Sequence, residues 1–411
     1  MTNPLRPLLL LLFLTTTTIA TTTTPRPCPA TTIPPAPTTT TTTAATGASN
    51  LGLQLLQKLV EPITSNTTQN TLISPYSIWV VLALVYIGSE GNTEKELREA
   101  LGLTQKTGTT ALLKQYETSV NGLGVQDSEI SLDSATRLYV DDKLPLACCK
   151  VELADELVSL DLSKTELAAK TINNFVNTTT KGLIPSIIDP PLLAGNTKMV
   201  AVGAVYFKGA WRYPFKAALT ERRPFQLLGG EEVMVDTMRR NDVLIGRALV
   251  CELSAEVVQL PYSTGLVNMT ILLPNENSPS DFTRTLNALN MNTLRAAWSK
   301  LDYDVYDITL PKFEVRSEFA EDMKSALKTL GISDVFDSAH ANLTSFNENL
   351  FVKHFIHKTV VKVDEEGTEA AGATAAVIVT KIGKIVFVNS PFIYLIHDSE
   401  TIFFIGTYMK P

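Results

Sequence analysis

Residues 365–384 read EEGTEAAGATAAVIVTKIGK, and chemistry-bearing residue types meet an unusual backbone composition there. Glu365 and Glu366 precede a run of glycine, alanine and threonine, which gives way to Val-Ile-Val-Thr-Lys-Ile. Three conformations compete for this segment: a flexible linker, an Ala-rich helix with Thr368 as its N-cap, and an exposed loop able to become a β-strand. A linker fits poorly between the strand-like runs that flank it. Alternation favours the third reading. In a strand, Thr368, Ala370, Gly372, Thr374, Ala376 and Ile378 share one face, and all but the last are small. Such a face can slide between existing strands without steric conflict, while Glu369 on the other face stays in water. A chain that must enter a closed sheet needs this property.

Other reactive residue types are sparse. Four His and four Cys among 411 residues leave little room for a histidine-built catalytic or metal centre. No C-x-x-C or paired-His spacing suits zinc, so neither a metal nor a cofactor is expected. There is no G-x-S-x-G elbow, since Ser89 in IGSEG lacks the first glycine. NGLGVQD (121–127) departs from the dinucleotide pattern after two glycines, and no P-loop occurs. An enzyme is therefore not expected. With 35 basic and 42 acidic residues the net charge is −7, which argues against a nucleic-acid backbone as partner. Cys28, Cys148, Cys149 and Cys251 are too few for a disulfide scaffold, and their three pairings stay open.

The elements that would position the segment follow from hydrophobic spacing. Arg6 and the apolar run 7–14 read as a secretory signal peptide over residues 1–20, too short to span a bilayer. Residues 21–46, nearly all Thr, Pro and Ala, read as a disordered, mucin-like stalk. A secreted, extracellular protein is expected, with no membrane partner, and Asn66, Asn177, Asn268 and Asn342 head its glycosylation sequons. Asn268 is the doubtful one, because LVNMTILLP reads as a buried strand. Residues 47–411 form one globular domain without a linker or repeat. Helical spacing marks residues 51–60, and residues 76–88 are apolar on every face, as in a buried helix. Thr93 and Glu96 fit a capping box for a helix ending at Gly102. Strands are expected at 199–207, 269–274, 308–315, 359–363, 392–398 and 401–409. Helices lead and strands follow, which predicts an α+β fold with one large sheet system.

Four motifs in order resemble the serpin family over about residues 50–411. LISPYSIW (72–79) is similar to the family's S-P-x-S segment, and VYFKGAWRYPF (205–215) to its F-K-G-x-W-x-x-P-F motif. EEGTEAAGATAA is similar to the reactive-loop hinge, and NSPFIYLIHD (389–398) to the strand after the loop.

The resemblance implies three β-sheets, about nine helices and an exposed reactive-centre loop. It implies a suicide inhibitor: a protease attacks the loop, forms an acyl-enzyme, and is trapped when the cleaved loop inserts as a new strand. The hinge would comprise Glu365, Glu366, Gly367, Thr368, Glu369, Ala370, Ala371, Gly372, Ala373 and Thr374. Counting from Gly367 places the reactive bond at Lys381–Ile382, so the partner would be a trypsin-like serine protease held in a covalent acyl complex. Lys384 is the rival specificity residue. Thr-Lys-Ile-Gly also resembles a zymogen activation junction, pointing to a target that activates another protease in an arthropod-type cascade; a digestive or host trypsin-like enzyme is the plainer target. Ser74, Ser77 and His357 match the shutter, Trp211 the breach, and Lys312 with Glu365 an ion pair at the top of the main sheet. Gly203 departs from the family's asparagine beside the shutter histidine, which implies either a compensating hydrogen bond or easier loop-sheet polymerisation. The expected state is a monomer able to form such polymers. The basic residues between 105 and 150 (Lys106, Lys114, Arg137, Lys143, Lys150) are scattered, so no strong glycosaminoglycan activation is expected. The alternative function is a non-inhibitory binding or carrier protein of the same family.

Overall fold

A computed structural model describes residues 44–60, 62–103, 130–147, 153, 155–367 and 384–411. Residues 1–43, 104–129 and 368–383 therefore lie outside it, and with them the signal and most of the stalk, Thr368–Thr374, and Lys381 and Ile382. The domain's first helix, α1 (Ala44–Val60), begins three residues before the expected boundary at 47.

The helix α2 (Pro75–Gly88) explains much of the core. Ser74 caps it, accepting a hydrogen bond from the Ser77 amide at 3.2 Å, and Pro75 occupies the first turn, where its missing N–H costs nothing. All its residues but Ile87 are buried, as the apolar run predicts. The helix α3 (Gly91–Ala100) corrects the capping-box reading. It starts at Gly91, whose φ of +61° suits glycine, and Glu90 at its N-cap makes no side-chain cap. Thr93 and Glu96 instead serve the loop packed beside them: Thr93 accepts the Asn342 amide at 3.0 Å, and Glu96 accepts the amides of Ser333 and Asp334.

Two sheets carry the fold. The first holds β2 (Ile130–Asp141), β3 (Leu157–Leu160), β4 (Met199–Gly209), β10 (Phe313–Phe319) and β11 (His354–Val363), in the order β10-β11-β4-β2-β3. The second contains β1 (Thr71–Ile73), β5 (Glu221–Gln226), β6 (Glu232–Val250), β7 (Ala255–Pro261), β8 (Asn268–Pro274), β9 (Asp302–Pro311), β12 (Lys384–Phe387), β13 (Phe392–His397) and β14 (Ile402–Tyr408). The third expected sheet is continuous with the second through β6. This 19-residue strand pairs with β5 near its start, with β9 on both sides of a register shift between Arg240 and Val243, and with β7 at its far end. Seven α-helices occur among the described residues.

The strand expected at 308–315 is two strands. The chain leaves the nine-stranded sheet at Pro311 and enters the five-stranded one at Phe313, and Lys312 between them donates its amide to Asp236. The crossing is invisible in sequence because the apolar pattern runs on through both strands.

Every residue of β4 except Lys208 is buried, because both faces of the five-stranded sheet are covered. Met199, Ala201, Val205 and Phe207 join the main core with α1 and α2. Val200, Val202, Ala204 and Tyr206 join a second cluster beneath α4 (Thr165–Thr179), with Ile172, Val176, Ile356 and Val360. This helix packs against β2 and shares its apolar cluster with the central strands.

Candidate functional site: the central strand pair and the hinge

The centre of the five-stranded sheet is a parallel seam between antiparallel neighbours. β11 and β4 run parallel and pair from His354–Val200 to Val360–Tyr206, flanked by the antiparallel pairs β10–β11 and β2–β4. Parallel pairing is slightly weaker per residue. Beyond Val360 and Tyr206, both strands continue for three residues without pairing to each other. The seam is thus closed at one end and open at the other.

The segment expected to be the hinge leaves β11 at this open end. Asp364 and Gly367 exchange backbone hydrogen bonds at 2.9 and 3.3 Å, turning the chain back over β4, and Gly367 bridges Ala210. The turn requires glycine: φ is +129°, and a Cβ at 367 would lie 2.2 Å from the Gly209 carbonyl oxygen. Trp211 supports the turn, donating its indole N–H to the Asp364 carbonyl at 3.0 Å and its amide to that of Glu366 at 3.1 Å. Its ring stacks on Tyr262 at 4.6 Å and meets Phe215 edge-on. The Phe215 amide donates to the Glu365 carbonyl at 2.7 Å.

Glu365 closes this end of the site. Its carboxylate accepts from Lys312 Nζ and from Thr220 Oγ1, each at 2.7 Å. Burial pushes the carboxyl up, but the Lys312 and Thr220 hydrogen bonds outweigh it and hold it below its usual value. The same hydrogen bond raises Lys312. Lys312 is partly solvated, so this pair positions the hinge more than it stabilises the fold. Thr220 and Tyr262 were not singled out by sequence, since neither belongs to a recognisable pattern.

Lower in the seam, the Ser74 amide donates to His357 Nε2 at 3.0 Å, which leaves the proton on Nδ1. Neither His357 Nδ1 nor Ser77 Oγ has a hydrogen-bond partner, and both are buried. No side chain therefore replaces the one missing at Gly203, which lies opposite His357 and acts on the ring only through its backbone. A Cβ at 203 would lie 3.0 Å from Ser77 Oγ and Val81 Cγ2, so the neighbours have partly closed in. Sequence reasoning missed two tethers nearby. Ser317 Oγ accepts the Leu72 amide at 2.9 Å, and Thr359 Oγ1 donates to the Leu72 carbonyl at 2.9 Å. The signal was a lone Ser on the apolar face of FEVRSEF.

A Gly203→Asn variant should gain on the order of 1 kcal/mol, as satisfying the orphaned groups outweighs some overpacking. It should melt higher and polymerise more slowly on heating; an unchanged or lower midpoint would contradict the short-partnered shutter.

Burial holds His357 down at about 3, against a small opposing pull from the Gly203 backbone, and His397 at about 4. Below about pH 6.5 the unfolded chain binds protons that these imidazoles refuse when folded. Their contribution is full above that pH and is lost as pH falls toward the folded values. Between about pH 7 and about pH 5 each should cost roughly 2 kcal/mol. The thermal midpoint should fall accordingly, and a midpoint unmoved over that range would refute the assignment.

The remaining candidates are dispersed. Asn66 is exposed, while Asn177, Asn342 and Asn268 are half-buried. Asn268 begins β8, and Thr270 of its sequon is buried with Oγ1 2.7 Å from His397 Nε2. Cys251 is disulfide-bonded to a partner outside the described residues. Arg137 covers the Phe175 ring at 3.6 Å, and Lys143 pairs with Asp161; Lys106, Lys114 and Lys150 lie outside the described residues. No cluster of metal-ligating residues occurs among the described residues, and no helix there is long and apolar enough to cross a membrane.

A seam between parallel strands, with a hinge turned back over its open end, is the architecture of the serpins. The model of that family, described as serpin (serine protease inhibitor), matches residues 46–411, and the chain belongs to it. Serine protease inhibitor 42Dd of Drosophila melanogaster is 34% identical, covering 87% of this chain and 94% of its own. The leukocyte elastase inhibitor of Xenopus tropicalis is 31% identical, covering 89% and 99%. Among solved structures, native protease nexin-1 with heparin superposes with a TM-score of 0.79 at 25% identity, covering 90% of this chain and 99% of that one. Serpin48 of Tenebrio molitor, described as highly specific, gives 0.75 at 26%, covering 90% and 98%.

Proposed function

We propose that this serpin is a secreted suicide inhibitor of a trypsin-like serine protease, cleaved at Lys381–Ile382. The half-open central seam carries this reading. A loop leaving the hinge at Gly367 and entering between β4 and β11 runs antiparallel to both. Insertion would replace one parallel pair with two antiparallel ones, and the three residues of each strand that do not pair across the seam offer the entry point. Fifteen residues, 367–381, span on the order of 50 Å when extended, so a protease acylated at Lys381 would be carried the length of the sheet.

Lys381 is favoured over Lys384. Lys384 is already the first residue of β12, paired with Tyr306, and its ammonium contacts Asp304 at 2.6 Å. Presenting it to a protease would require peeling β12 from β9. The signal-like amino terminus and the sequons support secretion, and the Lys-Ile junction supports a zymogen-activating target. The test is incubation with pancreatic trypsin followed by denaturing electrophoresis. A covalent complex is expected, with cleavage after Lys381. Cleavage without a complex would instead indicate a non-inhibitory binding or carrier protein, and preference for digestive trypsin over cascade proteases would sink the cascade target.

A further inference from the structure

Five large apolar side chains lie exposed on adjoining strands of the nine-stranded sheet: Leu244, Tyr303, Val305, Ile385 and Phe387, each between 41% and 55% exposed. Register places them on one face. Leu244 pairs with Val305, Asp307 with Ile385, and Thr309 with Phe387, while Tyr303, Val305, Asp307 and Thr309 alternate to the same side of β9. Their buried neighbours Tyr306, Ile308 and Val386 point to the core, so of these five only Tyr303, which lies across Gly246 and donates its hydroxyl to Gln259, is engaged by the sheet itself. Single exposed apolar residues need no explanation, but a contiguous patch marks an interaction surface.

We propose that this patch is a docking surface for the body of the target protease, on the primed side of the reactive bond. The inference rests on the assignment of that bond to Lys381–Ile382. Chain length supplies the argument for the occupant. Ile385 is three residues beyond Ile382, so its Cα lies within about 11 Å of it. A protease interface of ordinary size covers about 800 Å² on each partner, which is a disc of roughly 16 Å radius. A protease whose cleft holds the bond therefore sits against β12 and the neighbouring edge of β9. Because β12 and β9 are parallel, Val305 and Tyr303 lie toward the end at which the loop enters β12.

The charges around the patch define the partner's chemistry. Lys384 pairs with Asp304, and Arg239 with Asp307. The Arg239–Asp307 pair lies within the face and is neutral as a unit, while the exposed carboxylates of Asp242 and Asp302 at the margin offer no attraction to an acidic surface. The complementary feature on the protease is an apolar ledge beside the primed subsites. Its contribution would come from desolvation and so change little with salt, unlike a charged exosite.

The test uses Leu244→Gln with Val305→Thr, two surface changes outside the loop, and pancreatic trypsin as the probe. The association rate should fall about five-fold at both low and high salt, with the stoichiometry of inhibition and the thermal midpoint unchanged. An unchanged rate would overturn the proposal. So would a variant that differs only in self-association by sedimentation, which would make the patch a contact between copies of this chain. If the unaltered protein is cleaved but forms no covalent complex, the inhibitory reading fails separately. The patch is then still read from how fast trypsin cleaves the loop of intact protein and variant, and equal rates would overturn it.

Discussion

Replacing Thr368 with arginine is expected to turn most of the protein from an inhibitor of trypsin into a substrate. Thr368 follows Gly367, which already bridges Ala210 beside the open end of the seam. In the proposed mechanism it is the first side chain to enter between β4 and β11. Both faces of this sheet are covered, one by the main core and the other by α4. An inserted side chain therefore exchanges water for a packed interior. Threonine fits because it is small and its hydroxyl can bond locally. A guanidinium there costs several kcal/mol unless it finds a partner. If only about 2 kcal/mol of that cost reaches the insertion barrier, insertion slows roughly 30-fold. Deacylation does not involve this residue and keeps its rate. The stoichiometry of inhibition should rise from about one to about four, with most of the loop cut after Lys381 without a complex. Measuring both the stoichiometry and the cut separates this effect from misfolding, and a variant that still inhibits with an unchanged stoichiometry would refute insertion as the mechanism.

Replacing Lys381 with alanine should lower the rate of trypsin inhibition by roughly two to four orders of magnitude. The specificity pocket of trypsin carries a buried carboxylate. Leaving such a charge without its partner costs about 3–5 kcal/mol, and that loss falls on the acylation step. The companion Lys384→Ala should change the rate by no more than about two-fold, within what exposed pairs are worth, because Lys384 is already held by Asp304 and the β9 ladder. Kinetics of both variants, with mass spectrometry of the cleaved loop, would decide between the lysines; a larger loss at Lys384 would move the reactive bond.

Much of the fold was legible in the sequence where the signal is local. The all-apolar run 76–88 dictates a buried helix, and the strand runs at 199–207, 269–274, 392–398 and 401–409 lie within or against observed strands. The failures came where tertiary contacts compete with local pattern. Thr93 and Glu96 have the spacing of a cap, yet the loop carrying Ser333, Asp334 and Asn342 takes their hydrogen bonds. The run 308–315 has the composition of one strand, yet it divides at Lys312 because Pro311 and Phe313 belong to different sheets.

The sequence by itself determined that this is a serpin, with small residues where the hinge is expected and a lysine at the candidate bond. Those properties are written in residue type and short spacing, which need no fold to be read. Only the tertiary structure decided how the hinge is held. It brings Lys312 and Thr220 to Glu365, sets Trp211 on Tyr262 beneath the turn, and leaves His357 and Ser77 short of partners opposite Gly203. It also left β4 and β11 paired along only part of their length, and aligned five apolar residues on one outer face. These arrangements depend on the register of strands distant in the chain, and register is fixed by the packing of the whole core rather than by any local pattern.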